Sequence, residues 1–144
     1  MSDQDNKALA HRLVDEVLNK GNLAAVDEYF AANFVDHDLP PGVPPTREGL
    51  KMLFTGFRAA FPDLHYTIED EIAAGDKVIH RVTGHGTMKG EFQGMPATGK
   101  HGMWNEMHIS RFDGGKVVEH WAVVDQMGML VSLGVMPPPG QAPA

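Results

Sequence analysis

Apolar residues in the first sixty positions recur every three or four places, as on a helix with one buried side. Leu9, Leu13, Val14, Val17 and Leu18 share a helical stripe that Gly21 is placed to end. Asn22 is placed to cap a second, short helix with Leu23, Val26 and Phe30 on one face. The stretch Asp36-His37-Asp38-Leu39-Pro40-Pro41-Gly42-Val43-Pro44-Pro45 holds too many prolines to continue either element and reads as a loop. Thr46 then caps a third helix with Leu50, Leu53, Phe54, Phe57 and Phe61 on one face, and Pro62 stops it.

Beyond Leu64 the period falls from 3.6 to 2. Leu64, Tyr66, Ile68 and Ile72 alternate with His65, Thr67, Glu69 and Glu71, as on a strand with one buried face. Ala74-Gly75-Asp76 reads as a turn and Val78–His85 as a second strand. Glycines and Pro96 make a loop of much of 86–101, and Met103–Phe112 and Val117–Gln126 are two long strands joined at Gly114-Gly115. Helices followed by antiparallel strands predict an α+β fold, with the helices gathered on one face of a curved sheet. The reading is one domain over 1–136 and a Pro-rich flexible tail over 137–144.

The register of the last hairpin assigns faces. A two-residue Gly114-Gly115 turn pairs Asp113 with Lys116, and counting onward sets His108 against Trp121, Glu106 against Val123 and Trp104 against Asp125. One face then carries Trp104, Glu106, His108, Trp121, Val123 and Asp125; the other carries Met107 and Ile109 with His120, Ala122 and Val124. Aromatic walls with a few convergent polar groups suit a ligand pocket. A carboxylate held among indole rings loses hydration, which disfavours its charged form and strengthens it as a base. The alternative is an ordinary half-exposed strand end with Asp125 in solvent, and that outcome would remove every reading that uses Asp125 as a base.

Charge and composition remove several function classes. The net charge is −7 with no basic stripe, so neither nucleic acid nor an anionic membrane is an expected partner. No cysteine is present, which excludes thiolate nucleophiles and Cys-based metal sites. The N-terminus lacks the pattern of a secretory leader and no apolar run approaches the ~20 residues of a membrane span, so a cytoplasmic location is the expectation. Asp36-His37-Asp38 offers metal-type ligands, but nothing in the spacing ties a second histidine to it, and no metal is expected.

Glu119-His120-Trp121-Ala122-Val123-Val124-Asp125-Gln126-Met127-Gly128-Met129-Leu130, followed by Leu133-Gly134-Val135-Met136-Pro137, resembles the C-terminal signature of SnoaL-like polyketide cyclases. Val35-Asp36-His37-Asp38, Ala60-Phe61-Pro62-Asp63-Leu64, Gly75-Asp76-Lys77-Val78 and Pro96-Ala97-Thr98-Gly99-Lys100 fall where that family has similar segments. The resemblance implies a cone-shaped fold of the nuclear transport factor 2 type: three N-terminal helices packed on a strongly curved antiparallel sheet, enclosing a pocket. It implies metal-free and cofactor-free ring closure by intramolecular aldol condensation, with Asp125 as the acid/base aspartate. His108 is the matching pocket histidine and His37 the loop histidine. Met88 and Ala122 depart from the pattern, Ala122 standing at a commonly acidic position.

On this reading Asp125 and His108 are catalytic, and His37, Trp104, Glu106, Trp121 and Val123 bind a small hydrophobic carbonyl or aromatic substrate. Epoxide hydrolysis and a non-catalytic binding or dimerisation module remain as alternatives on the same fold. A sheet with apolar residues on both faces needs two covers and the helices supply one, so a homodimer is expected.

Overall fold

The structure, a computed structural model, describes residues 2–141. Helix α1 (Asp3–Leu13) opens on a reciprocal cap between Ser2 and Asp5 and runs straight into a π-helical turn, Val14–Asn19. The predicted stripe is the buried one, with Leu13, Val14 and Val17 in the core. A short 3-10 turn, Leu23–Ala25, leads into α2 (Val26–Tyr29), and Asn22 precedes it without a side-chain capping bond. Helix α3 (Arg47–Ala60) is capped as expected, the Thr46 hydroxyl accepting from the Gly49 N–H at 3.4 Å.

Phe30 does not end a helix. Its backbone is extended, and it begins a strand, β1 (Phe30–Asp36), that the pattern of apolar positions does not disclose. Phe30 and Phe34 are four apart, as on a helix, yet both are buried within the strand. The remaining strands are β2 (His65–Ala74), β3 (Lys77–Thr87), β4 (His101–Asp113) and β5 (Lys116–Val124). They form one curved sheet in the order β1-β5-β4-β3-β2, antiparallel except where β1 runs parallel to β5. Helix α4 (Gln126–Ser132) follows at once, so the last strand stops at Val124 rather than Gln126.

The hairpin turn is as expected: Gly114 and Gly115 have φ of 57° and 82°, and Asp113 pairs with Lys116. The register beyond it is not. Phe112 pairs with Val117 but Arg111 pairs with Glu119, leaving Val118 as an extra residue in a β-bulge. One inserted residue exchanges the faces of everything after it. His108 therefore opposes Ala122, Ile109 opposes Trp121 and Ser110 opposes His120. His120, Ala122 and Val124 join Glu106 and His108 on the inner face, and Trp121 and Val123 move outside.

A second bulge does the same to β2. Ile68 pairs with Val82 but Asp70 pairs with Arg81, so Glu69 is the extra residue. Glu71 then opposes His80, and Ile72, expected with the buried set, is 54% exposed. At the C-terminal end the Gln141 N–H bonds the Pro138 carbonyl in a turn, and the rest of the tail lies outside the described residues. No described helix is long and apolar enough to cross a membrane.

Candidate functional site

A cavity of about 130 Å³ lies between the helices and the inner face of the sheet. Leu13, Val14 and Leu18 of the first helix and Leu50, Leu53, Phe54 and Phe57 of α3 form an apolar wall. The sheet wall is different: Tyr66, His80, Glu106, His108, Ser110 and His120 line it, with Asp36 and Asp38 at the end of β1. Among the described residues the buried polar or charged side chains are Asn6, Asp36, His80 and Glu106, and all but Asn6 line this cavity. Burying a charge is costly unless it is paired, so the pairing of these groups is the first thing to establish.

Glu106 and Asp36 are joined through two histidines in a continuous chain, and His80 is paired apart from it. The Trp104 indole N–H donates to Glu106 Oε2 at 2.7 Å, and the other carboxylate oxygen, Oε1, lies 2.8 Å from His108 Nε2. His108 Nδ1 is 2.8 Å from His120 Nε2, and His120 Nδ1 is 2.8 Å from Asp36 Oδ2. Asp36 Oδ1 accepts from the Asp38 backbone N–H at 2.9 Å, and Asp38 Oδ2 from the Ala122 N–H at 2.8 Å. On β3, His80 Nε2 meets Glu71 Oε2 at 2.9 Å.

Local sequence explains why these groups can meet. His80 and His108 are direct partners across β3 and β4, while the Val118 bulge turns His120 inward beside His108. Parallel pairing of Asp36 with His120 delivers the carboxylate. Gly84 lies between Trp104 and Tyr66, and a Cβ there would stand 2.7 Å from Trp104 Nε1 and 2.8 Å from Tyr66 Cε1. Glycine at this position lets both rings close on Glu106.

Burial and pairing act in opposite senses on these groups. Desolvation pushes the Glu106 carboxyl upward, but the hydrogen bond and charge of His108, with the Trp104 and Tyr66 donors, outweigh it and hold Glu106 below its ordinary value. Desolvation lowers the His120 imidazole despite Asp36, and lowers His80 despite Glu71. Burial and the adjacent Glu106 push the Tyr66 phenol far above its usual range, so it stays a neutral donor. An ionised carboxylate thus sits at one end of a histidine pair, under a neutral phenol and indole.

The model of the SnoaL-like polyketide cyclase family matches residues 8–133. The chain belongs to that family. Similar solved structures include IdmH of Streptomyces antibioticus, a proposed polyketide cyclase, at 34% identity and TM-score 0.78, covering 90% of this chain and 98% of that one. AclR of Streptomyces galilaeus, a proposed hydroxylase, is 30% identical with TM-score 0.82, covering 99% of this chain and 87% of that one. A proposed polyketide cyclase of Bacillus cereus is 29% identical with TM-score 0.80, covering 92% and 82%. No curated protein sequence matches the chain.

Within this SnoaL-like fold the sequence-predicted residues separate. Glu106 and His108 line the cavity, and Trp104, 2% exposed, packs in the core and holds Glu106. Asp125 is exposed and caps α4, its Oδ1 accepting from the Gly128 N–H at 2.9 Å. Val123 is 74% exposed. Trp121 stacks on His37 with ring centroids 5.0 Å apart, and His37 Nε2 meets Glu119 at 2.8 Å, so neither ring lines the cavity. The expected grouping of Asp125 with Trp104 and Trp121 is therefore corrected, its cause being the extra residue in β5. Ala122, not Asp125, is on the cavity wall.

Sequence reasoning set His120 on the wrong face and took Asp36 for a loop residue. His80, paired with Glu71, lines the cavity as well. The three neighbouring side chains Asp36, His37 and Asp38 go to three separate partners: His120, Glu119 and the Ala122 backbone. Arg81 pairs with Asp70 at 2.6 Å and not with Glu106, and Arg111 pairs with Glu119 at 2.8 Å.

Proposed function

We propose that the chain is an enzyme that closes a ring in a small hydrophobic carbonyl compound by proton abstraction and intramolecular aldol addition. The observation that carries this reading is the chain Glu106–His108–His120–Asp36 on the wall of an otherwise apolar cavity. Glu106 takes the α-proton, the Tyr66 phenol supplies a donor near the enolate oxygen, and the apolar wall folds the substrate on itself. The family match and the similarity to IdmH support cyclase chemistry. The Asp125 mechanism loses its support because that carboxylate faces solvent. Epoxide hydrolysis through an Asp–Arg–Asp cluster loses support too, since no arginine is among the cavity-lining residues.

Cavity size limits the substrate. A dry engineered cavity of roughly 150 Å³ accepts benzene, and this one is about 130 Å³. A compact one-ring product fits that space; a fused multi-ring system does not. The heptanedione with a methyl ketone at each end, a linear diketone whose aldol closure from one terminal methyl gives a six-membered ring, is a suitable probe. Turnover that falls ~10²-fold or more in Glu106→Gln supports the reading, and turnover equal to the parent's contradicts it.

A second copy of the chain is proposed as the cover of the outer face. Met103, Met107 and Val123 are 59%, 51% and 74% exposed there. The pairs Arg81–Asp70 and Arg111–Glu119 flank them with both charge signs, which suits a self-complementary two-fold contact.

A further inference from the structure

The three contacts that join Glu106, His108, His120 and Asp36 impose a proton count. Each is 2.8 Å long, and each needs one hydrogen between its heavy atoms. Two neutral imidazoles bring only two hydrogens, because each has one N–H and one bare nitrogen. With both carboxylates ionised, the middle contact or one end would then face two lone pairs. Filling all three contacts takes a third proton.

We propose that this chain holds three protons on its four ring nitrogens and works as a relay, accepting the substrate's proton at Glu106 and releasing one at Asp36. The relay rests on the cyclase reading given above and deepens it by separating the base from the acid. The surplus proton sits on His108. Its two N–H groups then donate to Glu106 and to the bare Nε2 of His120, while His120 Nδ1–H donates to Asp36. That arrangement accords with Glu106 held ionised by His108 and with His120 kept neutral by burial.

No ring nitrogen in the chain is free to meet a substrate, since all four are engaged. The carboxylates are the exits, and both line the cavity. In the first step the substrate C–H bond breaks, its proton goes to Glu106 and the electron pair becomes the enolate. The enolate carbon then bonds to the second carbonyl carbon, whose π pair becomes an alkoxide. Asp36 takes the His120 Nδ1 proton and passes it to that alkoxide. His120 then draws the His108 Nδ1 proton onto its Nε2, which leaves both rings neutral and the substrate's proton on Glu106. Between turnovers solvent water takes that proton from Glu106 and returns one to His120 Nδ1, the Nε2 proton goes back to His108, and no proton is gained or lost.

Other groups bear on the same protons. His80 faces His108 from β3, with Glu71 behind it; Tyr66 faces Glu106 from β2; Asp38 lies beside His120 from the loop after β1. Burial first, and then the charge of His108, lower the His80 imidazole despite its contact with Glu71, so His80 stands as a neutral neighbour of the relay.

The test uses the full chain. Long-range proton–nitrogen NMR on nitrogen-15 histidine at neutral pH reads each ring nitrogen of His108 and His120. Three protonated nitrogens and one bare one are expected, and two neutral rings would overturn the relay whether or not the protein cyclises anything. With heptanedione in heavy water, deuterium exchange at the α-carbon is then compared with ring closure in His120→Gln. The relay requires closure to slow at least ~10-fold more than exchange, because proton delivery is cut while abstraction at Glu106 is spared. Equal losses in both would mean that His120 only shapes the wall, and the relay would fall while the cyclase reading stood. Absence of both exchange and closure in the parent protein would instead remove the cyclase reading.

Discussion

Asp125 and Glu106 are both acidic residues in largely apolar strands, and only their surroundings tell them apart. Glu106 receives bonds from an indole and an imidazole inside a cavity, whereas Asp125 caps α4 in solvent. An N-cap aspartate contributes about 1 kcal/mol to stability. Asp125→Ala is therefore expected to lower the unfolding free energy by about that amount in urea, with ring closure within about twofold of the parent. Gly84→Ala acts from the other side. Its Cβ would press on Trp104 and Tyr66, with an expected destabilisation of about 1–3 kcal/mol for overpacking. Chemical denaturation measures the destabilisation, and a change in near-UV circular dichroism reports displacement of the Trp104 indole.

At the level of elements, much of the fold is legible from period alone. The stripe on α1, the Thr46 cap, the face of α3 and the Gly114-Gly115 turn are all where the sequence puts them, because propensity, capping and positive φ are local properties. The two bulges are not local. Val117 and Val118 are alike in β-propensity, so nothing in that stretch marks which residue is extra, and the faces after it come out exchanged. β2 did carry a signal: Asp70 occupies a place in the apolar series Leu64, Tyr66, Ile68, Ile72, and the break falls beside it. β1 is hidden by the helical spacing of Phe30 and Phe34, and with it went Asp36. The site was half legible, Glu106 and His108 on β4 but not their partners on β5 and β1. Deleting Val118 tests the account of the bulge. Without the extra residue, plain counting from the turn pairs Arg111 with Glu119 and Ser110 with His120, so His120 should stay inward and keep the imidazole–imidazole contact in NMR of the ring nitrogens; loss of that contact would contradict it.

The whole molecule has two apolar faces, and its inner one is covered by helices. Met107→Glu on the outer face is expected to convert a dimer to a monomer in light-scattering mass measurements without loss of helical signal; a parent protein that is already monomeric would remove the proposed partner. That face also carries His85, with the rings of His65 and His101 at 5.5 and 5.2 Å. Desolvation, with the charges of those two rings, lowers the His85 imidazole from 6.5. Between its folded value and 6.5 the unfolded chain binds the proton more readily, so this group's contribution to stability falls as pH drops below 6.5. Thermal unfolding of His85→Gln should show a shallower decline from neutral to mildly acidic pH than the parent.

The central claim is that the chemistry belongs to the cavity chain and not to the end of β5. A direct comparison of kcat/KM for heptanedione closure in Glu106→Gln and Asp125→Asn tests it. The account predicts a loss of ~10²-fold or more for Glu106→Gln and a change within about twofold for Asp125→Asn. A large loss in Asp125→Asn with Glu106→Gln close to the parent would contradict it.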